Sequence, residues 1–129
     1  LLDRYPAVRL VWRHLPDSEL HPGADLAAEL SEFASDGGRF WPAHSLLLAG
    51  RDRFSAKDLL SVARQLDLDP AEAEAALRER RYRERVLEDV AGAEQAGVHG
   101  TPTFFVGAER LEGSWSQLAQ LVPAILERR

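Results

Sequence analysis

Four histidines, an arginine-rich run and a Gly-Thr-Pro-Thr segment are the places in this chain where side-chain type and spacing could do chemistry. The histidines stand at positions 14, 21, 44 and 99. No two have the i,i+4 spacing that turns both imidazoles of a helix toward one metal, and no carboxylate joins one in a known ligand motif. No metal site is therefore expected. His44 reads as a packed or capping residue on an apolar helix, and His14 as the continuation of a strand. Arg78-Glu79-Arg80-Arg81-Tyr82-Arg83-Glu84-Arg85 holds five Arg, two Glu and one aromatic, the composition of a phosphate or nucleic-acid patch. Against that, Glu and Arg alternate at helical neighbour spacings and Glu72, Glu74, Glu88 and Asp89 flank the run. The run is accordingly read as a solvated helix face laced by its own ion pairs. Trp12, Trp41 and Trp115 could form a substrate groove but are read as core aromatics, with Trp41 expected to be partly exposed near the active-site face after its Gly-Gly approach.

Composition narrows the classes further. The chain has 129 residues, 45% of them hydrophobic, enough for one domain with a core of its own. Its net charge of -5 argues against wrapping nucleic acid or lying on an anionic membrane. No apolar run approaches the ~20 residues that span a bilayer. With no Cys, these residues contain no disulfide, no thiolate zinc site and no cysteine nucleophile. With no Met, Leu1 is not expected to be the natural start, and the chain is read as a piece of something longer.

The elements that must position these residues follow from periodicity. Leu1 to Tyr5 reads as the tail of a helix stopped by Pro6. Val8-Arg9-Leu10-Val11-Trp12-Arg13-His14-Leu15 reads as a strand with Val8, Leu10 and Trp12 on one face, broken by Pro16-Asp17. From His21 to Val98 the pattern is helical. Pro22 suits the first turn of a helix carrying Leu26, Leu30, Phe33 and Ala34, which Asp36-Gly37-Gly38 ends. A short second helix carries Trp41, Leu46, Leu47 and Leu48. Ser55 with Asp58 starts a third, Asp69-Pro70 a fourth, and a fifth bears Val86, Val90 and Ala93 before stopping at Gly97. Thr103-Phe104-Phe105-Val106 then reads as a buried strand, Gly107-Ala108 as a two-residue hairpin loop, and Glu109-Arg110-Leu111-Glu112 as the return strand. Ser114 with Gln117 caps a last helix with the stripe Leu118, Leu121, Val122 and Ile125. Pro123 lies inside that stripe, where it should cost ~3 kcal/mol or kink the helix.

Pro102 is the position with most to say. A proline directly before a buried strand cannot donate to a ladder, so it belongs at the strand's first position or in a tight turn. A cis Thr101-Pro102 bond would serve that geometry, although cis accounts for only ~5–6% of X–Pro bonds, and spacing leaves the isomer open.

The run Gly97-Val98-His99-Gly100-Thr101-Pro102-Thr103-Phe104-Phe105-Val106-Gly107, with Leu111-Glu112-Gly113, resembles the cis-proline loop and hairpin of DsbA-like thioredoxin-fold proteins. Residues 8–16 with His21-Pro22 resemble that family's second strand and the lead into its helical insertion. Gly38-Arg39-Phe40-Trp41 with His44 and Leu47-Leu48 resembles a stretch within the insertion. The nearest kin by resemblance are the thioredoxin-like domains attached to bacterial sodium/proton antiporters and free-standing bacterial DsbA-like oxidoreductases.

The resemblance implies an α/β thioredoxin-like fold spanning residues 1–129, with an all-helical insertion at about residues 21–98. It implies protein thiol–disulfide exchange with a protein or peptide substrate and without a cofactor. Thr101 and Pro102 would position that substrate, the backbone before the proline aligning it like an added strand. The family's Cys-x-x-Cys, at the start of the first helix, has no counterpart here, nor has the central first strand. Both are expected upstream of Leu1, a strand-swapped dimer being the other way to fill the slot. Two other functions share the proline loop: a non-catalytic binding or regulatory domain attached to a transporter, and a Ser- and glutathione-using transferase or isomerase. The resemblance places a free-standing member outside the cytoplasm and an antiporter-attached one within it.

Overall fold

The structure, a computed structural model, describes residues 2–128. Its order is α1 (Ala24–Asp36), α2 (Phe40–Gly50), α3 (Ala56–Gln65), α4 (Pro70–Arg78), α5 (Arg83–Gln95), β1 (Thr103–Val106), β2 (Glu109–Glu112) and α6 (Trp115–Glu127). The residues form two compact units, one of His14–Gly92 and one made by the segments up to Arg13 and from Ala93 onward.

The helical unit starts with local chemistry that its sequence carries. Ser55 accepts the Asp58 N–H and Asp58 accepts back from Ser55, a complete capping box at the start of α3. Asp69 Oδ1 accepts the N–H groups of Ala71 and Glu72 ahead of Pro70 at the start of α4. Each cap is worth ~1 kcal/mol. Leu30 and Ala34 of α1, Leu47 of α2, Leu59 and Ala63 of α3 and Ala73 and Leu77 of α4 then share one apolar core. Ala34, Ala43, Ala63 and Ala73 are fully buried, and their small side chains let neighbouring helix backbones approach closely.

The start of α1 differs from expectation. Pro22 lies outside the helix, and Gly23 is the N-cap with φ 86°. A Cβ at Gly23 would stand 2.7 Å from the Phe54 carbonyl oxygen, so only glycine lets this turn touch the segment before α3. The helix ends are more regular. After α1, α3, α4 and α5 the chain closes the same way, the third residue past the helix reaching back five positions: Arg39 to Ala34, Leu68 to Ala63, Arg81 to Ala76 and Val98 to Ala93. The pivot has positive φ each time, at Gly38, Asp67, Arg80 and Gly97.

In the other unit, β1 and β2 form an antiparallel hairpin in which Phe104 pairs with Leu111 and Val106 with Glu109 across Gly107-Ala108. The first loop residue, Gly107, has φ 61°. Ser114 and Gln117 make the second complete capping box, starting α6. Leu118 and Val122 of α6 are buried, and α6 packs on β1. α6 runs through Pro123 without a break. The carbonyl that loses its partner belongs to Ala119, an exposed residue, so water can take the place of the missing N–H.

Two expected elements are not formed. Residues 8–15 make no strand: Val8 and Leu10 are half-buried and Arg9 and Val11 exposed, but the only sheet among the described residues is the β1–β2 pair. A strand exists only where a neighbour completes its ladder, and β-forming side chains cannot supply one. Residues 2–8 form two turns, Tyr5 N–H to Leu2 O and Val8 N–H to Tyr5 O, where a helix tail was expected, because Pro6 has no N–H to extend the first turn. The Leu1 part of that expectation lies outside the described residues.

Candidate functional site

Four contacts build the proline loop. At the end of α5, Gly97 in the left-handed region turns the chain, with Val98 N–H bonded 2.9 Å to Ala93 O. From β2, Arg110 donates to the carbonyls of Ala96 at 2.8 Å and Gly97 at 2.6 Å. Its guanidinium thus satisfies acceptors that a helix end leaves open and fixes where the loop begins. Thr103 Oγ1 donates to Gly100 O at 2.7 Å, bridging Thr101-Pro102, whose peptide bond is cis. Thr101 and Pro102 are exposed.

Beside the loop lies an open groove of about 500 Å³, bounded by Gly100-Thr101-Pro102-Thr103 on one side and Glu112-Gly113-Ser114-Trp115 on the other. β1 leaves the proline and β2 returns to the groove, so hairpin register alone sets the two walls opposite each other: Thr103 pairs with Glu112. Trp115 is 57% exposed, and its ring leans on Phe104 at 5.1 Å between centroids. The groove carries no side chain able to act as a nucleophile toward sulfur.

The structure distributes the histidines unevenly. His14 is buried, its backbone N–H bonded to Asp89 and its Nε2 3.5 Å from Glu32. Phe40 sits between His14, edge-on at 6.2 Å, and His44, stacked at 5.7 Å. Burial, followed by the nearby His14, holds the His44 imidazole below its usual pKa. His21 pairs with Asp52 at 2.5 Å, and His99 is exposed. Thus His14 and His44 come together around one phenyl ring, a meeting that their 30-residue separation in sequence conceals. Among the described residues no three His, Asp or Glu side chains converge as a metal set. Trp41 is 44% exposed, as its approach predicts, but Trp12 at 40% and Trp115 at 57% are exposed as well, so neither is the core aromatic expected.

The arginine-rich run is made of ion pairs, but few lie along one helix. Arg80 reaches Glu29 and Asp25 of α1, Arg85 and Tyr82 reach Asp36 at the end of α1, and Arg81 takes Glu72 and Glu79. The run interrupts the helices between α4 and α5, so Arg80, Tyr82 and Arg85 cross to α1 instead of pairing up and down a shared face. Sequence inspection finds the charges but not these partners.

A proline-led hairpin backed by a C-terminal helix, together with a preceding helical block, is the class of the thioredoxin fold as DsbA-like proteins build it. The chain belongs to that family: the model of the DSBA-like thioredoxin domain matches residues 26–124. Residues 8–25, part of the resemblance drawn from sequence, fall outside the match. The relatives are antiporters by name. The chain is 47% identical over 116 residues to Na(+)/H(+) antiporter NhaA 1 of Salinispora arenicola, covering 90% of this chain and 18% of that protein. It is 46% identical over 116 residues to Na(+)/H(+) antiporter NhaA 3 of Salinispora tropica, with the same coverage. It is 39% identical over 120 residues to the antiporter NhaA of Herminiimonas arsenicoxydans, covering 93% of this chain and 18% of that one. The chain thus spans less than a fifth of the curated relatives it matches. No helix among the described residues is long and apolar enough to cross a membrane.

Proposed function

We propose that residues 1–129 are the peptide-positioning part of a thiol–disulfide exchange domain whose nucleophilic cysteines lie outside these residues. The observation that carries the reading is the groove whose wall is Thr101 and Pro102. An extended substrate segment laid along the exposed backbone at Thr101 would present its disulfide at the start of β1, where a neighbouring thiolate could reach it. That thiolate attacks one substrate sulfur, the S–S bond breaks, and the other sulfur leaves as a thiolate, giving a mixed disulfide. The chain's own contribution is orientation.

The test is insulin reduction by the complete natural protein with dithiothreitol as reductant. A rate above that of dithiothreitol alone, lost on replacing the upstream cysteines by serine, is the expected result. A complete protein without such cysteines, or one no faster than the reductant, overturns the exchange reading.

A second reading is favoured by a separate observation, the similarity to less than a fifth of several antiporters. In it the domain binds a peptide segment without reacting and regulates a transporter to which it is joined. Ion exchange by the complete protein in vesicles, with and without residues 1–129, separates the two: altered transport together with no thiol activity supports this reading.

A further inference from the structure

We propose that the outer face of α2 docks an apolar helix of a partner protein, one that carries acidic residues at both its ends. The proposal does not rest on the peptide reading of the proline loop. In a chain whose residues are 29% charged, α2 is the one helix among the described residues without an Asp, Glu, Lys or Arg. A helix with one side turned to water ordinarily carries its charges on that side. Here the side turned to water is Trp41, Pro42, Ser45, Leu48 and Ala49, with Leu48 61% exposed. At helical spacing these five cover about a third of the circumference as one continuous stripe. The opposite side, Ala43 and Leu47, is already buried in the core, so the stripe is left over from folding. Trp41 is braced within it: its ring meets Phe40 edge-on at 4.9 Å and His44 edge-on at 5.5 Å, which fixes a large apolar anchor before a partner arrives.

Ala49 belongs both to the stripe and to a groove of about 270 Å³ between α2 and α3, where Leu46 and Val62 give the apolar lining and Arg53 and Gln65 the polar one. A flat apolar stripe continued by an indentation for one side chain is the geometry of helix-in-groove recognition. Charge then narrows the partner. Arg39 stands at the start of α2 and Arg51 at its end, both exposed and neither in an ion pair among the described residues, whereas Arg80, Arg81 and Arg85 all hold carboxylates. Asp58, in the groove wall, is engaged by the Ser55 N–H and hydroxyl and lies near Arg53, so selection falls chiefly on Arg39 and Arg51. An apolar helix as long as α2 with a Glu or Asp at each end meets both. A second copy of this chain fits less well, because α2 laid on α2 brings arginine to arginine whichever way the two helices run. A bilayer fits less well too: a flat surface leaves the groove unfilled, and the net charge of -5 opposes anionic lipid.

Three acetylated, amidated helical peptides, long enough to cover α2 and sharing one alanine-rich, leucine-striped centre, provide the test; they differ only in ending on Glu, Gln or Lys at both termini. Each is titrated calorimetrically into the protein with amide shifts followed by NMR. The Glu-ended peptide should bind about three- to tenfold more tightly than the Gln-ended one, and the Lys-ended peptide more weakly than either, with shifts on α2 and α3. Leu48→Glu, at a position open to water, should leave circular dichroism and the melting temperature unchanged and weaken the Glu-ended peptide at least about tenfold. Arg39→Gln combined with Arg51→Gln should abolish the preference for Glu over Gln ends while the Gln-ended peptide binds as before. Equal affinity for all three peptides overturns the acidic partner, and no shift on α2 with any of them overturns helix docking altogether. A dimer in sedimentation equilibrium that Leu48→Glu abolishes overturns the proposal in favour of a second copy. Flotation with phosphatidylglycerol vesicles that Leu48→Glu abolishes overturns it in favour of a bilayer.

Discussion

Arg80 sets its Nη2 at 2.6 Å and its Nε at 2.8 Å from the same Oε2 of Glu29, a residue with 1% of its surface exposed. Oε1 of that carboxylate has no hydrogen-bond partner among the described residues. Arg80 is also the left-handed pivot closing α4, with φ 53°, a conformation that costs a non-glycine residue ~1 kcal/mol. The ion pair outweighs that cost, since it is the chief compensation for a carboxylate removed from water. Glu29 in turn keeps the guanidinium more firmly protonated than usual. Arg80→Ala should therefore destabilise the protein by roughly 2–4 kcal/mol in urea titration, because it strands a buried charge. Replacing both residues by Met should cost less than about 1 kcal/mol. A loss below about 0.5 kcal/mol for Arg80→Ala would show the pair to be energetically idle.

Acid should weaken the clasp between the end of α1 and the start of α5. The Arg85 guanidinium at 2.9 Å and then the Tyr82 hydroxyl at 2.8 Å hold the Asp36 carboxyl below its ordinary pKa. A carboxyl depressed in the folded state stabilises above its unfolded pKa, and that contribution disappears as pH falls through the folded one. The clasp is half exposed, so its share is modest. Asp36→Asn should lower the melting temperature at neutral pH and flatten its decline below about pH 4. A decline as steep as the parent's would remove Asp36 from the account.

The contrast between Ser55 and Arg80 shows what part of this fold is legible in sequence. Ser55-Asp58, Asp69-Pro70 and Ser114-Gln117 start helices through contacts within three residues, so reading them needs no tertiary structure. The hairpin is equally local, and its residues 103–106 and 109–112 are those expected, although β1 is not the buried strand anticipated, since Phe105 is 54% exposed. Arg80 ends a helix where glycine is the usual signal, and its compensation lies 51 residues away in Glu29. Residues 8–15 fail in the opposite sense: their side chains suit a strand, but a strand is a property of two segments. At the groove, Thr101 and Pro102 are visible because proline before a strand is rare. Arg110 is not, since an ordinary β-strand position gives no sign of what it faces, and Trp115, a groove candidate by type, reads as core because aromatic residues usually are.

The ring cluster at α2 should respond to pH in the imidazole range. Burial first, then His14, disfavours the charged His44, while Glu32 and Asp89 face His14 from α1 and α5. A histidine whose pKa is lowered on folding stabilises the protein above its unfolded pKa, and that contribution fades as pH falls below it. Stability should thus drop between about pH 7 and 5, and His44→Phe, which keeps the stack on Phe40, should reduce the drop. Urea midpoints measured across that interval decide it. A drop unchanged in His44→Phe would assign the effect to another group.

Arg110 gives the sharpest separation of loop order from global stability. Its guanidinium holds the carbonyls of Ala96 and Gly97, lies 5.7 Å over the Phe105 ring and reaches Glu112, so one side chain ties the end of α5 to β2. Arg110→Ala frees two helix-end carbonyls, which water can take up because residues 96 and 99–102 are exposed. The global cost is then about 1–2 kcal/mol, that of two charge-assisted bonds replaced by solvent. Locally the effect should be larger in kind: residues 98–102 lose the contact that fixes their starting point. Hydrogen exchange at Val98–Thr103 should accelerate at least about tenfold relative to α3 and α4. Arg110→Lys restores a cation but not the fork that spans two carbonyls, and should recover less than half of the protection. If exchange in the loop rises only in step with that of α3, Arg110 contributes to overall stability and does not position the loop.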